Sequence, residues 1–228
     1  MPQTILTVRQ VAAGLHLSIR EVVRMAEAKA LPGEFVRGQW QFRAGEISNW
    51  IEANLQTLPD RRRRDRHPVE RADLLISNIL AERSVSVDVL AKTKSSVLRE
   101  LAARAAEADE FVDVQSLLET LQEREAAGST ALQDGIAIPH PARPYYTNGP
   151  LIVAVRSSQG VFFGQRDGGA SDLFFLVCCP THTEHLLVLG RLCRLLIDRA
   201  LQDALRSAQS PREFHDALCA AERALCAE

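Results

Sequence analysis

Apolar positions along the chain recur at helical spacing in some stretches and alternate or run together in others, and the changes of period divide it into segments. Val8, Val11, Ala12 and Leu15 fall on one helical face, opened by the capping-box spacing of Thr7 and Gln10 and closed by Gly14. Ser18 and Glu21 repeat that spacing ahead of Val22, Met25 and Ala26, which predicts a second short helix. After Leu31-Pro32-Gly33, aromatic and β-branched residues flank Gly38 from Phe35 to Phe42, a hairpin signature. A closing helix over Gly45 to Ala53 turns Ile47, Trp50 and Ile51 inward. Two short helices joined by a tight turn and followed by a hairpin give the outline of a helix-turn-helix with a wing.

Residues 57–70, T-L-P-D-R-R-R-R-D-R-H-P-V-E, hold few apolar positions between bracketing prolines and read as a linker. Beyond them helices and apolar strands interleave. Helices are predicted over Ala72 to Glu82, from Ser95 with Leu98, Leu101, Ala102 and Ala105 on one face, and from the cap Asp113 through Val114, Leu117, Leu118 and Leu121 to Arg124 and Glu125. Strands are predicted at 84–89, 136–138, 150–156 and 172–178, with a short one near Phe162, and three helices follow at 183–198, 200–207 and 212–225. Strands that read as continuous apolar runs among helices mean a sheet covered on both faces, an α/β sandwich. The expected division is 1–56, a linker over 57–70, and 71–228.

Composition narrows the class. With 46% hydrophobic residues in 228, there is material for a substantial core. The net charge of −2 gives no global field toward nucleic acid or acidic partners, although the linker alone carries five arginines against two aspartates before Pro68. Five cysteines without a C-x-x-C are expected to be buried, reduced thiols. No charged-then-apolar leader and no membrane-length run occur, so a cytoplasmic protein without a membrane span is expected.

The candidate chemistry lies between Arg124 and Arg143, R-E-A-A-G-S-T-A-L-Q-D-G-I-A-I-P-H-P-A-R. Ile136 to Ile138 fits a buried strand, and Pro139 ends it because proline has no N–H for the next ladder bond. His140 is thereby expected at a sheet edge, on rigid backbone and reachable from solvent. Arg124, Ser129, Thr130 and the N–H groups near Gly128 are placed to hold an anion. A neutral imidazole can attack a phosphoryl group while an arginine and N–H groups stabilise its equatorial oxygens. Thr181 and Glu184 form another capping-box spacing, which places His185 in the first turn of a helix whose dipole favours neutral imidazole. His182 reads as exposed. His140, His182 and His185 lack a thiol or carboxylate at metal-ligand spacing, so no metal is expected. His16, His67 and His215 have no partners in sequence and read as exposed.

R-E-A-A-G-S-T followed by G-I-A-I-P-H resembles the active-site block of the fructose/mannitol-type enzyme IIA domains of the bacterial phosphotransferase system, including the nitrogen-regulatory branch. The resemblance continues through Phe162-Phe163-Gly164, Asp167-Gly168, the strand Asp172 to Cys179 and T-H-T-E-H-L-L-V-L-G-R-L, covering roughly 72–226. It implies an α/β sandwich phosphorylated on His140 by a phosphohistidine carrier protein. It also makes His185 the second active-site histidine and Arg124 the arginine beside the phosphohistidine, and it implies no cofactor. Thr130 and Ser129 are the expected phosphate-binding hydroxyls, and Arg143 is a weaker candidate. Pro141 and Ala142 depart from the small-then-basic pair that follows the histidine in many relatives, which touches the recognition rim rather than the nucleophile.

Residues 4–54 resemble excisionase/MerR-like winged helix-turn-helix domains in the order helix, turn, helix, L-P-G, hairpin with Trp40 and Phe42, then E-I-S-N-W-I. The resemblance implies double-stranded DNA read by Arg20 and Arg24 with Lys29 nearby, Arg37 at the hairpin tip, and a homodimer to bind tightly. Six basic against five acidic residues over 1–54 leave a weak footprint, so a plain solvated face stays open. The linker arginines could lie along the DNA backbone or simply be a spacer. The combined expectation is a phosphotransferase-linked transcription regulator. The alternatives are an unphosphorylated sensing or interaction module and a sugar-transport enzyme IIA component.

Overall fold

The computed structural model describes residues 5–15, 17, 19–54, 74–165 and 168–227. The linker, Ser18, Asp167, His16 and His67 therefore lie outside the described residues.

The described residues open with a strand, β1 (Ile5–Thr7), that is too short to register as a sequence pattern. It leads directly into α1 (Val8–Leu15), where the Thr7 N–H donates to Gln10 Oε1 at 2.9 Å and the Gln10 N–H returns to Thr7 Oγ1 at 3.4 Å. Gly14 lies inside α1 instead of closing it. The next helix, α2 (Ile19–Glu27), buries Val22 and Ala26. The hairpin forms as expected between β2 (Glu34–Val36) and β3 (Gln39–Arg43). Arg37 and Gly38 between them both have positive φ, 50° and 83°, as a two-residue I′ turn requires. β1 pairs with the other edge of β3, giving the order β1-β3-β2. α3 (Ala44–Asn54) buries Ile47 and Ile51, and Trp50 Nε1 donates to the Ala30 carbonyl at 2.6 Å.

In the second half, where a helix is expected over 72–82, the described residues from Ile76 on form one turn, α4 (Ile76–Ile79), and a 3-10 turn at Glu82–Ser84. The buried Glu222 carboxylate accepts the N–H groups of Ile76 and Ser77 at 2.7 and 2.8 Å and fixes where the turn starts. There follow β4 (Val85–Val89), α5 (Lys94–Ala108), α6 (Val114–Ala127), β5 (Ile136–Ala137), β6 (Leu151–Val161), β7 (Ser171–Cys178), α7 (His182–Leu196), α8 (Arg199–Ser207) and α9 (Pro211–Ala227). The cap of α5 is Thr93, one residue before Lys94, and not Ser95. Asp113 caps α6 by accepting the Ser116 N–H at 2.7 Å, although Val114 on the expected apolar face is exposed. The expected short strand near Phe162 is instead the end of a longer β6.

The sheet order is β4-β6-β7-β5, with β6 and β7 antiparallel and both edge strands parallel to their neighbours. Period-2 alternation along β6 sends Leu151, Val153 and Val155 to the face covered by α5 and α6, and Ile152 and Ala154 to the face covered by α7 and α9. This is the α/β sandwich the apolar strands imply. The second of these cores does not stop at the sheet: it runs on through α7 into Leu6, Val11, Val22, Phe42, Ile47 and Ile51. α1 lies against α7 at Gly14, where an added Cβ would stand 2.6 Å from Leu186 Cγ, and a Cβ on Gly190 would overlap the Gly14 carbonyl oxygen. Gly14 is thus a close-approach residue.

Candidate functional site

Asp134 and Gly135, with φ of 57° and 76°, turn the chain tightly so that 131–133 runs back against β5. The Ile138 N–H donates to the Thr130 carbonyl at 3.0 Å, and the Pro139 carbonyl accepts from Val177 N–H at 3.1 Å. Pro139 therefore ends β5 without releasing the chain from β7, and His140 follows on backbone tied from both sides. The expected solvent access is not found: His140 is 3% exposed. Its ring lines a pocket of about 500 Å³ instead.

Two hydrogen bonds settle the imidazole tautomer. A carbonyl oxygen can only accept, so Nδ1, 2.8 Å from the Ile138 oxygen, carries the proton. Nε2 then holds the lone pair and accepts from Arg124 Nε–H at 3.2 Å. Burial, followed by the charges of His185 and Arg124, lowers the His140 pKa well below the usual imidazole value. The ring is neutral and nucleophilic at Nε2 around neutral pH.

Arg124, near the C-terminal end of α6, is 8% exposed. Besides His140 it donates from Nη1 to the Gly128 carbonyl at 2.8 Å and from Nη2 toward Asn49 Oδ1 at 3.5 Å. His185 stands in the first turn of α7, whose cap Thr181 accepts the Glu184 N–H at 3.2 Å and donates its hydroxyl to the Glu184 carboxylate at 2.7 Å. Its ring centroid is 5.0 Å from that of His140, the planes inclined at 47°. Burial, then the charges of His182 and Arg124, push the His185 pKa down to about 4. His182, expected outside, is half-buried and lines the same pocket.

The hydroxyls fall otherwise than expected. Thr130 is fully buried, gives its hydroxyl and its N–H to the Glu125 carboxylate, and does not line the pocket. Glu125 is held in turn by Lys94 Nζ at 2.9 Å, so Thr130 and Glu125 brace the α6 terminus from behind. Ser129 does line the pocket, with its hydroxyl donated to the Phe163 carbonyl at 2.7 Å. Arg143 is exposed on the rim. Gly45 and Asn49 of α3, with Gln133 and Gln165, complete the lining and escaped sequence reading. Asn49 lies 75 residues from Arg124, and no periodicity links the two.

Among the remaining candidates, Arg20, Arg24, Lys29 and Arg37 are exposed on and after α2 and at the hairpin tip, and none lines the pocket. His215 is half-buried with Nε2 2.9 Å from the Leu80 oxygen, rather than exposed. Four cysteines are buried, but Cys226 is exposed. Among the described residues there is no cluster of three or more His, Cys, Asp or Glu side chains suited to a metal ion, and no helix is long and apolar enough to cross a membrane.

The nitrogen regulatory protein of Pseudomonas aeruginosa is 37% identical over 143 residues, 61% of this chain and 92% of that protein. The fructose-specific EIIABC component of Bacillus subtilis is 30% identical over 137 residues; the match takes in 59% of this chain but only 21% of that longer protein. The crystal structure of nitrogen regulatory protein IIA-Ntr from Neisseria meningitidis aligns over 63% of this chain and 98% of its own, with TM-score 0.58 and 26% identity. The family match covers residues 78–220, whereas the pocket also takes Gly45 and Asn49 from the N-terminal half. With residues 78–220, more than half its length, matching the phosphoenolpyruvate-dependent sugar phosphotransferase system EIIA 2 family, the chain belongs to that family.

Proposed function

We propose that this chain is an enzyme IIA module of the nitrogen-regulatory kind that accepts a phosphoryl group on Nε2 of His140. The observation that carries the reading is the pinned tautomer: Nδ1–H is fixed on Ile138, which aims the Nε2 lone pair at Arg124 and into the pocket. In the transfer, Nε2 attacks phosphorus, the donor's P–N bond breaks, and the donor imidazole departs with that electron pair. The Nδ1 proton stays, and the Ile138 carbonyl steadies the positive ring. Arg124 Nε–H passes from Nε2 to a phosphoryl oxygen, since one lone pair cannot serve both partners. His185, neutral near pH 7, sits one ring away as a second donor to the same oxygens.

The test is incubation of the full chain with phosphoenolpyruvate, enzyme I and the histidine carrier protein, followed by intact-mass measurement. One acid-labile phosphate is expected on wild type and none on His140→Ala. A wild type that stays unmodified rejects the carrier role and leaves a silent sensing or interaction module.

A second activity, recognition of duplex DNA by residues 5–54, draws support from Arg20 and Arg24 exposed together on α2 and Arg37 at the tip of the hairpin. Fluorescence anisotropy with duplex DNA at low and at physiological salt tests it. Binding that falls with salt and with Arg20→Ala/Arg24→Ala supports DNA reading by a homodimer or monomer, and no binding at either salt removes it.

A further inference from the structure

α3 belongs to the N-terminal half of the chain, yet Gly45 and Asn49 line the same pocket as His140 and Arg124. Ile47 and Ile51 turn into the shared core, so Asn49 between them faces away from it. The seating of this half is built: one apolar core runs across the junction, and α1 meets α7 through Gly14 and Gly190 beside the turn that carries His185. Among the described contacts of Arg124 are Nε on His140, Nη1 on Gly128 and Nη2 toward Asn49. The first two come from its own domain, and the third is a contribution of the N-terminal half.

We propose that Asn49 is a positioning residue of the His140 site, contributed by the N-terminal module, which aligns the Arg124 guanidinium for an incoming phosphoryl group. The inference rests on the reading of His140 as acceptor. The chemistry explains an amide at this place. A neutral carbonyl orients the guanidinium without cancelling its charge, whereas a carboxylate would form an ion pair and oppose the phosphoryl oxygens. In keeping with this, none of the described residues lining the pocket is an aspartate or glutamate. The N-terminal module is thereby part of the acceptor site as well as its neighbour, and a change in its seating alters how the site treats phosphate.

The experiment uses the full chain and phosphoramidate, a small-molecule phosphoryl donor that needs no docking surface, with acid-labile phosphate on His140 followed by intact mass. Asn49→Ala is expected to slow the reaction about tenfold and Asn49→Asp about a hundredfold, while Asn49→Gln stays within about threefold of wild type. In parallel, NMR follows the His140 and His185 imidazoles during pH and inorganic phosphate titrations. Asn49→Ala, which removes the carbonyl without adding a charge, is expected to shift the pH at which these rings titrate and to weaken phosphate binding, and Asn49→Asp to raise that pH by offsetting the Arg124 charge; a residue that only packs would leave Asn49→Ala as wild type. Wild-type rates and titrations in both Asn49→Ala and Asn49→Asp overturn the proposal. Should wild type refuse phosphate from phosphoramidate, the acceptor reading falls, and the imidazole titration alone decides Asn49: a shift in Asn49→Ala upholds its hold on Arg124, and no shift removes it.

Discussion

Arg124 and His140 share a hydrogen bond in which a guanidinium N–H occupies the one imidazole lone pair, Nε to Nε2, at 3.2 Å. On the proposed reading, the nucleophile is thus masked at rest by the group that would stabilise the product. Arg124→Lys keeps the charge but loses the fork that reaches His140 and Gly128 together. Its expected effect is a drop of about two orders of magnitude in the rate of His140 phosphorylation, read by timed intact mass with the purified donor chain. A rate within a factor of about three of wild type would mean that Arg124 serves the fold alone.

The depressed histidines make stability depend on pH. His185 titrates at about 4 in the fold. Its ordinary value is near 6.5, so between those two pH values the unfolded chain binds the proton and the folded chain does not. The stabilisation is complete above about pH 6.5 and is lost as pH falls toward 4. With allowance for the remaining solvent contact of His185, on the order of 2–3 kcal/mol should disappear across that window. Urea unfolding at steps from pH 7.5 to 4.5 measures it, and His185→Asn should flatten the slope.

Glu222 is the buried anion most exposed to a single-atom test. Its carboxylate takes two backbone N–H groups at the start of α4, with Arg191 3.9 Å away. Glu222→Gln retains one acceptor and turns an N–H2 group toward an N–H, so a loss of about 2 kcal/mol is expected in chemical denaturation. An unchanged midpoint would show that water replaces the carboxylate there.

Thiol reactivity separates the cysteines. Burial raises the pKa of Cys178 and Cys179, and Cys193 and Cys219 are also buried, whereas Cys226 is exposed. Titration of the native protein with an aromatic disulfide should give one fast equivalent, abolished in Cys226→Ser, with the others released only on unfolding.

Much of this architecture was legible in the chain because it is written locally. The stop at Pro139, the cap at Asp113, the Thr181–Glu184 pair and the apolar strands each depend on neighbours a few residues apart. What could not be read depends on distant groups. The start of α4 follows from Glu222, and the place of Asn49 from the docking of α3. Gly14 misled for the same reason: a glycine near the end of a helical pattern has the sequence look of a terminator, and only the partner helix shows that it is a site of close approach. His140 was expected at the surface because a strand end usually lies there. In the fold α6, α7 and α3 close around it.

The meeting of α1 with α7 at Gly14 and Gly190 sets a tolerance of one carbon atom. A methyl on Gly190 would meet the Gly14 carbonyl and wedge the helices apart, and α3, which shares a core with α1, would lift with it. The mouth of the cavity would then widen with no residue in its wall altered. A lineage could therefore retune a histidine it never touches by changing a hydrogen to a methyl on the opposite side of a helix.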